Sequence, residues 1–377
     1  MTIYRFPVSW TECLLFLLLA VWLVRPPSLG AQVQVREATQ VQEIHVEFVV
    51  SLGDEDGPGT VGRPAAVERR SNGEWVLTDA HNPEFVKFFT SEGTWLRTLG
   101  RRGDGPGEFR QAWFLQMLPE DSLAVFDYGS GRLTVFTPDL QVARITPLRV
   151  PVTRMALLPD GRIVVAALVM TRESAGLPLH LVDSQGRLER SFGADPPIQD
   201  ASDFQQMSRK LAVGTGSTIW VASLNHYALE EWSVSGERLR RFERSVPWFR
   251  PGGQYGRPRD RDGPPGPGIA GIHVDLAGRI WIAVHVPDSQ WQRALVSGQG
   301  PYGRPRQMIQ HYDRYGDTRL EVMDPETGTV IASTVLDHYV QGFTSSGDLI
   351  TYRFREGMIP TAEIFQARLT NPRGGYQ

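Results

Sequence analysis

Cysteine and lysine are nearly missing from this chain of 377 residues. The single cysteine, Cys13, lies in an apolar stretch near the amino terminus, so disulfide frameworks, CxxC redox chemistry and thiolate metal sites are excluded from the rest of the chain. Lys87 and Lys210 are the two lysines among 39 basic residues, which leaves the positive charge to arginine, a residue suited to bidentate grips. Long hydrophobic runs are absent too. The stretch Cys13 to Val24 is twelve residues, short of the roughly 20 that a membrane-spanning helix needs. A net charge of -3 without basic blocks argues against nucleic-acid binding. No GxSxG elbow, HExxH pair or phosphate loop occurs, which removes the usual signatures of α/β-hydrolases, zincins and P-loop enzymes.

Glycine and proline are plentiful, at 38 and 27, and point to many turns. Residues 1–31 read as an export signal: Arg5, the apolar stretch, Arg25-Pro26-Pro27, and the small residues Gly30-Ala31, after which cleavage is expected. Residues 32–42 would then form a short leader, and 43–377 a single domain of a periplasmic or secreted protein. No membrane span would remain in the mature chain, and a monomer is expected.

The rest of the chain is built by repetition. Asp56-Gly57-Pro58-Gly59 and Asp104-Gly105-Pro106-Gly107 repeat one string, with a looser copy from Asp262 to Gly268. Each stands before a run of alternating apolar residues. Six turns, centred on Ser71-Asn72-Gly73, Glu120-Asp121, Asp160-Gly161, Thr215-Gly216-Ser217, Ala277-Gly278 and Ser346-Gly347, feed short strands rich in β-branched and aromatic residues. Trp75, Leu123, Ile163, Ile219, Ile280 and Leu349 hold equivalent places in them, 40 to 69 residues apart. That is the period of propeller blades with loop insertions. A third and a fourth strand follow in each unit, and four antiparallel strands make a blade. The last unit stops after its third strand, while an orphan strand, residues 45–53, opens the domain. The orphan is expected to complete the last blade, giving an all-β, six-bladed β-propeller whose ring is closed by the N-terminal strand.

The run TLGRRGDGPGEF, followed by GEWVLTDAHNPEFVKFFTSEG, resembles the NHL-type six-bladed β-propellers, whose blades read as a glycine-proline loop, a VAD-like strand, an Asn-containing turn and a VF..G strand. The resemblance spans residues 43–370 and is crisp in the first two blades. It implies a propeller and, by analogy with enzymatic relatives, a divalent cation held by histidines and acids above the channel.

In a propeller the innermost strands line a central channel, and the loops after the second and fourth strands share one face. Two long insertions, 247–268 and 287–316, fall on that face and carry a copied pentapeptide: Tyr255-Gly256-Arg257-Pro258-Arg259 and Tyr302-Gly303-Arg304-Pro305-Arg306. Tyr255, Arg257, Arg259, Tyr302, Arg304 and Arg306 would make a rim for anions or aromatic groups, with Trp291, Trp248 and Phe249 as stacking candidates. The bland alternative is a set of solvated loops. His81, His226 and His285 stand at the ends of second strands, as do Asp79 and Asp127. These five are the candidate ligands for calcium or zinc in a hydrolase or lyase, against an ordinary role in turn hydrogen bonding. The favoured expectation is a binding protein that recognises a peptide, glycan or envelope partner through its loop face, with no cofactor.

Overall fold

The computed structural model describes residues 32–37, 42–62, 64–79, 82, 85–200, 204–249, 263–299, 305–309, 314–354 and 360–371. Six four-stranded antiparallel sheets are arranged as blades. From the axis outward, blade one is Pro64–Arg69, Trp75–Asp79, Val86–Phe89 and Trp95–Leu99. Blade two is Ala112–Met117, Leu123–Asp127, Arg132–Phe136 and Val142–Pro147. Blade three is Arg154–Leu157, Ile163–Ala166, Leu179–Val182 and Leu188–Phe192. Blade four is Arg209–Val213, Thr218–Ser223, Ala228–Ser233 and Arg238–Glu243. Blade five is Gly268–Val274, Ile280–Pro287, Gly316–Asp324 and Thr329–Leu336. Each of the six residues aligned from the sequence lies on the second strand of its blade.

Blade six confirms the expected closure. Val340–Phe343, Leu349–Phe354 and Pro360–Thr370 come from the end of the chain, and the outer strand, Glu43–Leu52, from its beginning. The join runs antiparallel from Ala362↔Leu52 to Thr370↔Glu43, so the two ends of the domain share one sheet and an open edge is removed.

The segment before this strand does more than lead into it. Gln32–Gln34 adds in parallel to the outer strand of blade four, and Arg36–Glu37 adds in parallel to that of blade five. The chain therefore runs along the perimeter of three consecutive blades. Nothing in the composition of 32–42 signals this, because two- and three-residue edge strands carry no readable alternation.

The core is divided by blade interface. Six clusters each join two neighbouring blades, for example Trp220, Leu229 and Phe242 of blade four against Ile280, Ile282 and Met323 of blade five. Second strands are packed on both faces, as in Trp75–Asp79, which is buried throughout, whereas the outer strand Trp95–Leu99 alternates. Each large apolar side chain so buried stabilises the fold by roughly 1.5–3 kcal/mol. Close approach between blades imposes glycine at Gly186, where φ is +80° and an added Cβ would lie 1.8 Å from the Pro147 carbonyl oxygen of blade two.

The Asp-Gly-Pro-Gly string is a joint between blades. In its second copy Glu108 accepts from the Gly105 amide at 2.8 Å, Arg110 pairs with Asp104 at 2.5 Å, and Arg132 of the next blade donates to the Asp104 carbonyl at 2.6 Å. The motif holds the crossing from one outer strand to the next inner one. No helix among the described residues is long and apolar enough to cross a membrane.

Candidate functional site

The innermost strands of all six blades surround a channel of about 400 Å³. Every innermost strand starts on the face that carries the blade-to-blade connections and ends at the opposite, turn face. Register therefore gives the height of each lining residue. Arg154 pairs with Ala166 and Lys210 with Ala222, equivalent positions at the loop-face end of blades three and four. Glu68 pairs with Val76 and His273 with Trp281, equivalent positions one step from the turn-face end of blades one and five. The channel thus has a cationic level at one end and a level with a carboxyl and an imidazole at the other, with Trp113 and Phe114 supplying aromatic wall.

The two ends differ in how their charges are held. At the turn-face end, Glu68 of blade one accepts from the Ser345 amide at 3.1 Å and from its hydroxyl at 2.5 Å, a bridge to blade six. Burial pushes the Glu68 carboxyl up to about 8, outweighing the Ser345 bonds that act the other way. His273 stacks on Phe343 with ring centroids 5.8 Å apart, and burial lowers it from the usual histidine value. At the loop-face end, Lys210 is half-buried in the channel wall, and among the described residues no hydrogen bond or ion pair reaches its amine. Burial first, and the Arg154 guanidinium second, hold it well below the usual lysine range. The sole carboxylate among the described lining residues, Glu68, belongs to the other end.

None of these channel residues was singled out from the sequence. The signal for Lys210 was there in the rarity of lysine, together with its place on an innermost strand; Glu68, Arg154 and His273 look like ordinary residues of alternating strands.

The residues that were singled out are scattered. Asp79 accepts from the Gly62 amide at 2.9 Å and the Asn82 side chain at 3.1 Å, and pairs with buried Lys87 at 3.3 Å. Asp127, its equivalent in blade two, accepts from the amides of Arg110, Gln111 and Gly129 and from the Ser130 hydroxyl. Both carboxylates pin the end of a second strand to the loop arriving from the preceding blade. His226 is exposed, with Nδ1 3.3 Å from Asn225 Oδ1. His285 is buried, donates from Nε2 to the Val340 carbonyl at 2.6 Å, and stacks on Tyr339 with centroids 3.7 Å apart. Burial pushes it down to about 3. His81 lies outside the described residues.

Of the rim, Tyr255, Arg257, Arg259, Tyr302 and Arg304 also lie outside the described residues. Arg306 stands opposite Gly298 on a two-stranded ribbon, Leu295–Gln299 with Pro305–Ile309, inside the blade-five insertion. Trp291 is buried against Ala294 and Tyr315, and Phe249 is buried against Tyr227. Both rings anchor their loops.

Three carboxylates do converge: Asp288, Asp317 and Asp337, at the loop-face end of blade five, offer oxygens within 4.8 Å of one another. Burial and its two acidic neighbours raise Asp317 to about 6. None of the five expected metal ligands belongs to this group.

No protein-family model and no curated protein matches the chain. Solved structures do. A member of the DUF4221 family from Bacteroides vulgatus ATCC 8482 superposes with a TM-score of 0.60 at 10% identity, over 88% of this chain and 100% of the other. A Bacteroides fragilis NCTC 9343 protein named as exported gives 0.54 at 10% identity, over 90% and 100%. Virginiamycin B lyase from Staphylococcus aureus gives 0.46 at 10% identity, over 86% and 99%. The first two likenesses agree with the six-bladed propeller; at such identities they speak to fold alone.

Proposed function

We propose that this chain is an exported, ligand-binding propeller of the NHL type that holds a small anion at the loop-face end of its channel. The observation that carries this reading is the pair of basic side chains, Arg154 and Lys210, at one register level of neighbouring blades on the channel wall. Arg154 supplies a permanent charge and a planar fork that fits a carboxylate or phosphate. Lys210 adds a donor with no partner among the described residues. The lining also offers apolar and aromatic surface from Met155, Leu211 and Phe114, which suits a compact organic anion better than a hydrated salt ion. The export signal supports a periplasmic or secreted location, and the arginine-rich insertions on the same face would gather anions toward the mouth or meet an envelope partner.

The test is calorimetric titration with oxalate, phosphate and sulfate at low salt. At least one is expected to bind, and Arg154→Gln to weaken it tenfold or more. Replacing Arg257, Arg259, Arg304 and Arg306 together by alanine is expected to slow capture and leave folding intact. Unchanged binding in R154Q would end this reading.

The rival is a hydrolase or lyase with calcium or zinc at the channel mouth. It draws less support, because Asp79, Asp127, His226 and His285 stand in four different blades. Metal content after purification without chelator separates the two, one tightly held ion per chain favouring catalysis.

A further inference from the structure

Lys210 combines features that are seldom found together on a lysine. It is one of two lysines in the chain. It faces a channel rather than bulk solvent, and among the described residues it has no acid partner. A guanidinium, Arg154, stands at the same register level of the adjacent blade. The other lysine is its opposite: Lys87 is 1% exposed, paired with Asp79 at 3.3 Å and donating to the Thr60 carbonyl.

A lysine that loses hydration and sits beside a second cation is deprotonated more readily, which is how an amine becomes a nucleophile near neutral pH. The pull on Lys210 comes from burial and from Arg154, in that order. Its other titratable neighbour from blade five, His285, is kept neutral by burial, so it adds no charge to the amine.

We infer that the channel takes 2-oxo acids, with the ligand carboxylate on Arg154 and the carbonyl carbon captured by the Lys210 amine as an imine. This rests on the anion site proposed above and names its ligand class. The step balances without any oxidant or reductant. The Nζ lone pair forms a bond to the carbonyl carbon, and the carbonyl π pair moves to oxygen, which takes a proton. The resulting carbinolamine loses water as nitrogen gives up its remaining protons or retains one as the iminium. Water is the only molecule released, and hydrolysis reverses the reaction.

Glyoxylate is the probe, trapped with cyanoborohydride near pH 7 and located by peptide mass mapping of the full mature chain. The scarcity of lysine makes the outcome readable, since Lys87 is sealed and only the α-amine competes. The adduct is expected on Lys210, in stoichiometric yield, with oxalate slowing it because oxalate occupies the site without offering a reactive carbonyl. Lys210→Arg is expected to abolish the adduct on the innermost strand of blade four and leave only the α-amine to react. Trapping confined to the α-amine while oxalate still binds would overturn the imine and leave the anion site standing. Absence of both adduct and oxalate binding would overturn both.

Discussion

Arg244 is the residue whose loss the fold should feel most sharply. It follows the outer strand of blade four, and Nη1 donates to Glu321 Oε2 on the third strand of blade five. The two side chains are 5% and 0% exposed. The Tyr227 hydroxyl donates to the same oxygen, Ser333 donates to Oε1 at 3.2 Å, and the guanidinium lies 5.4 Å from the Tyr227 ring and 5.7 Å from that of Trp248. Arg244→Met keeps most of the packing and leaves a buried carboxylate without its counter-charge. Breaking one side of such a pair costs about 3–5 kcal/mol. With a urea slope of about 3 kcal/mol per M, the unfolding midpoint falls by about 1–1.7 M. Arg244→Met with Glu321→Met removes both charges, so it should cost at least about 2 kcal/mol less than the two single losses added together. Equilibrium urea unfolding followed by tryptophan fluorescence supplies all four corners of the cycle. A single-variant loss under about 1 kcal/mol, or simple additivity, would refute the view that this pair bolts blade four to blade five.

Three further outcomes are expected. Glu68 has a folded pKa of about 8 against an ordinary value of 4.5, so the folded state holds a proton that the unfolded state has lost between those pH values. Stability should therefore fall by up to about 5 kcal/mol as pH rises from 4.5 to 8, and Glu68→Gln should flatten that profile, as read by urea midpoints across the range. Gly186→Ala should cost more than about 2 kcal/mol because its Cβ meets the Pro147 carbonyl, whereas Gly161→Ala, at φ +83° in open space, should cost only about 1 kcal/mol; equal losses would deny the close approach of blades two and three. Deletion through residue 42 bares the outer edges of blades four and five and should promote self-association seen by light scattering, while deletion through residue 53 also removes buried Val50 and Leu52 and should abolish cooperative unfolding.

How much was legible follows from what each feature requires. A blade must alternate, turn and repeat, and each of those leaves a mark in sequence: Trp75, Leu123, Ile163, Ile219, Ile280 and Leu349 all lie on second strands, and the orphan strand at the beginning closes the ring because a missing fourth strand can be counted. The perimeter strands at Gln32–Gln34 and Arg36–Glu37 leave no such mark, since parallel addition of two or three residues depends on an edge that happens to be free. The candidate ligands were chosen by residue type at strand ends, and type alone does not separate a ligand from a fastener. Asp79 and Asp127 fasten loops, Trp291 and Phe249 anchor them, and in each case the deciding fact is which amide or ring lies opposite, a fact of tertiary approach.

The channel shows the same limit from the other side. Arg154 and Lys210 are 56 residues apart in sequence, and neither belongs to a motif. They become a site because two innermost strands of neighbouring blades start at the same height. Register, once the fold is known, turns the repeat itself into a coordinate system: the residue three places past the aligned position in the second strand marks the loop-face level, and one place past it marks the turn-face level. Reading the innermost strands on that grid puts two bases at one end and Glu68 with His273 at the other, a polarity along the axis that no single blade encodes. A ligand that spans the channel would therefore bind in one direction only, with its anionic end toward the loop face and a hydrogen-bonding end toward Glu68 and His273.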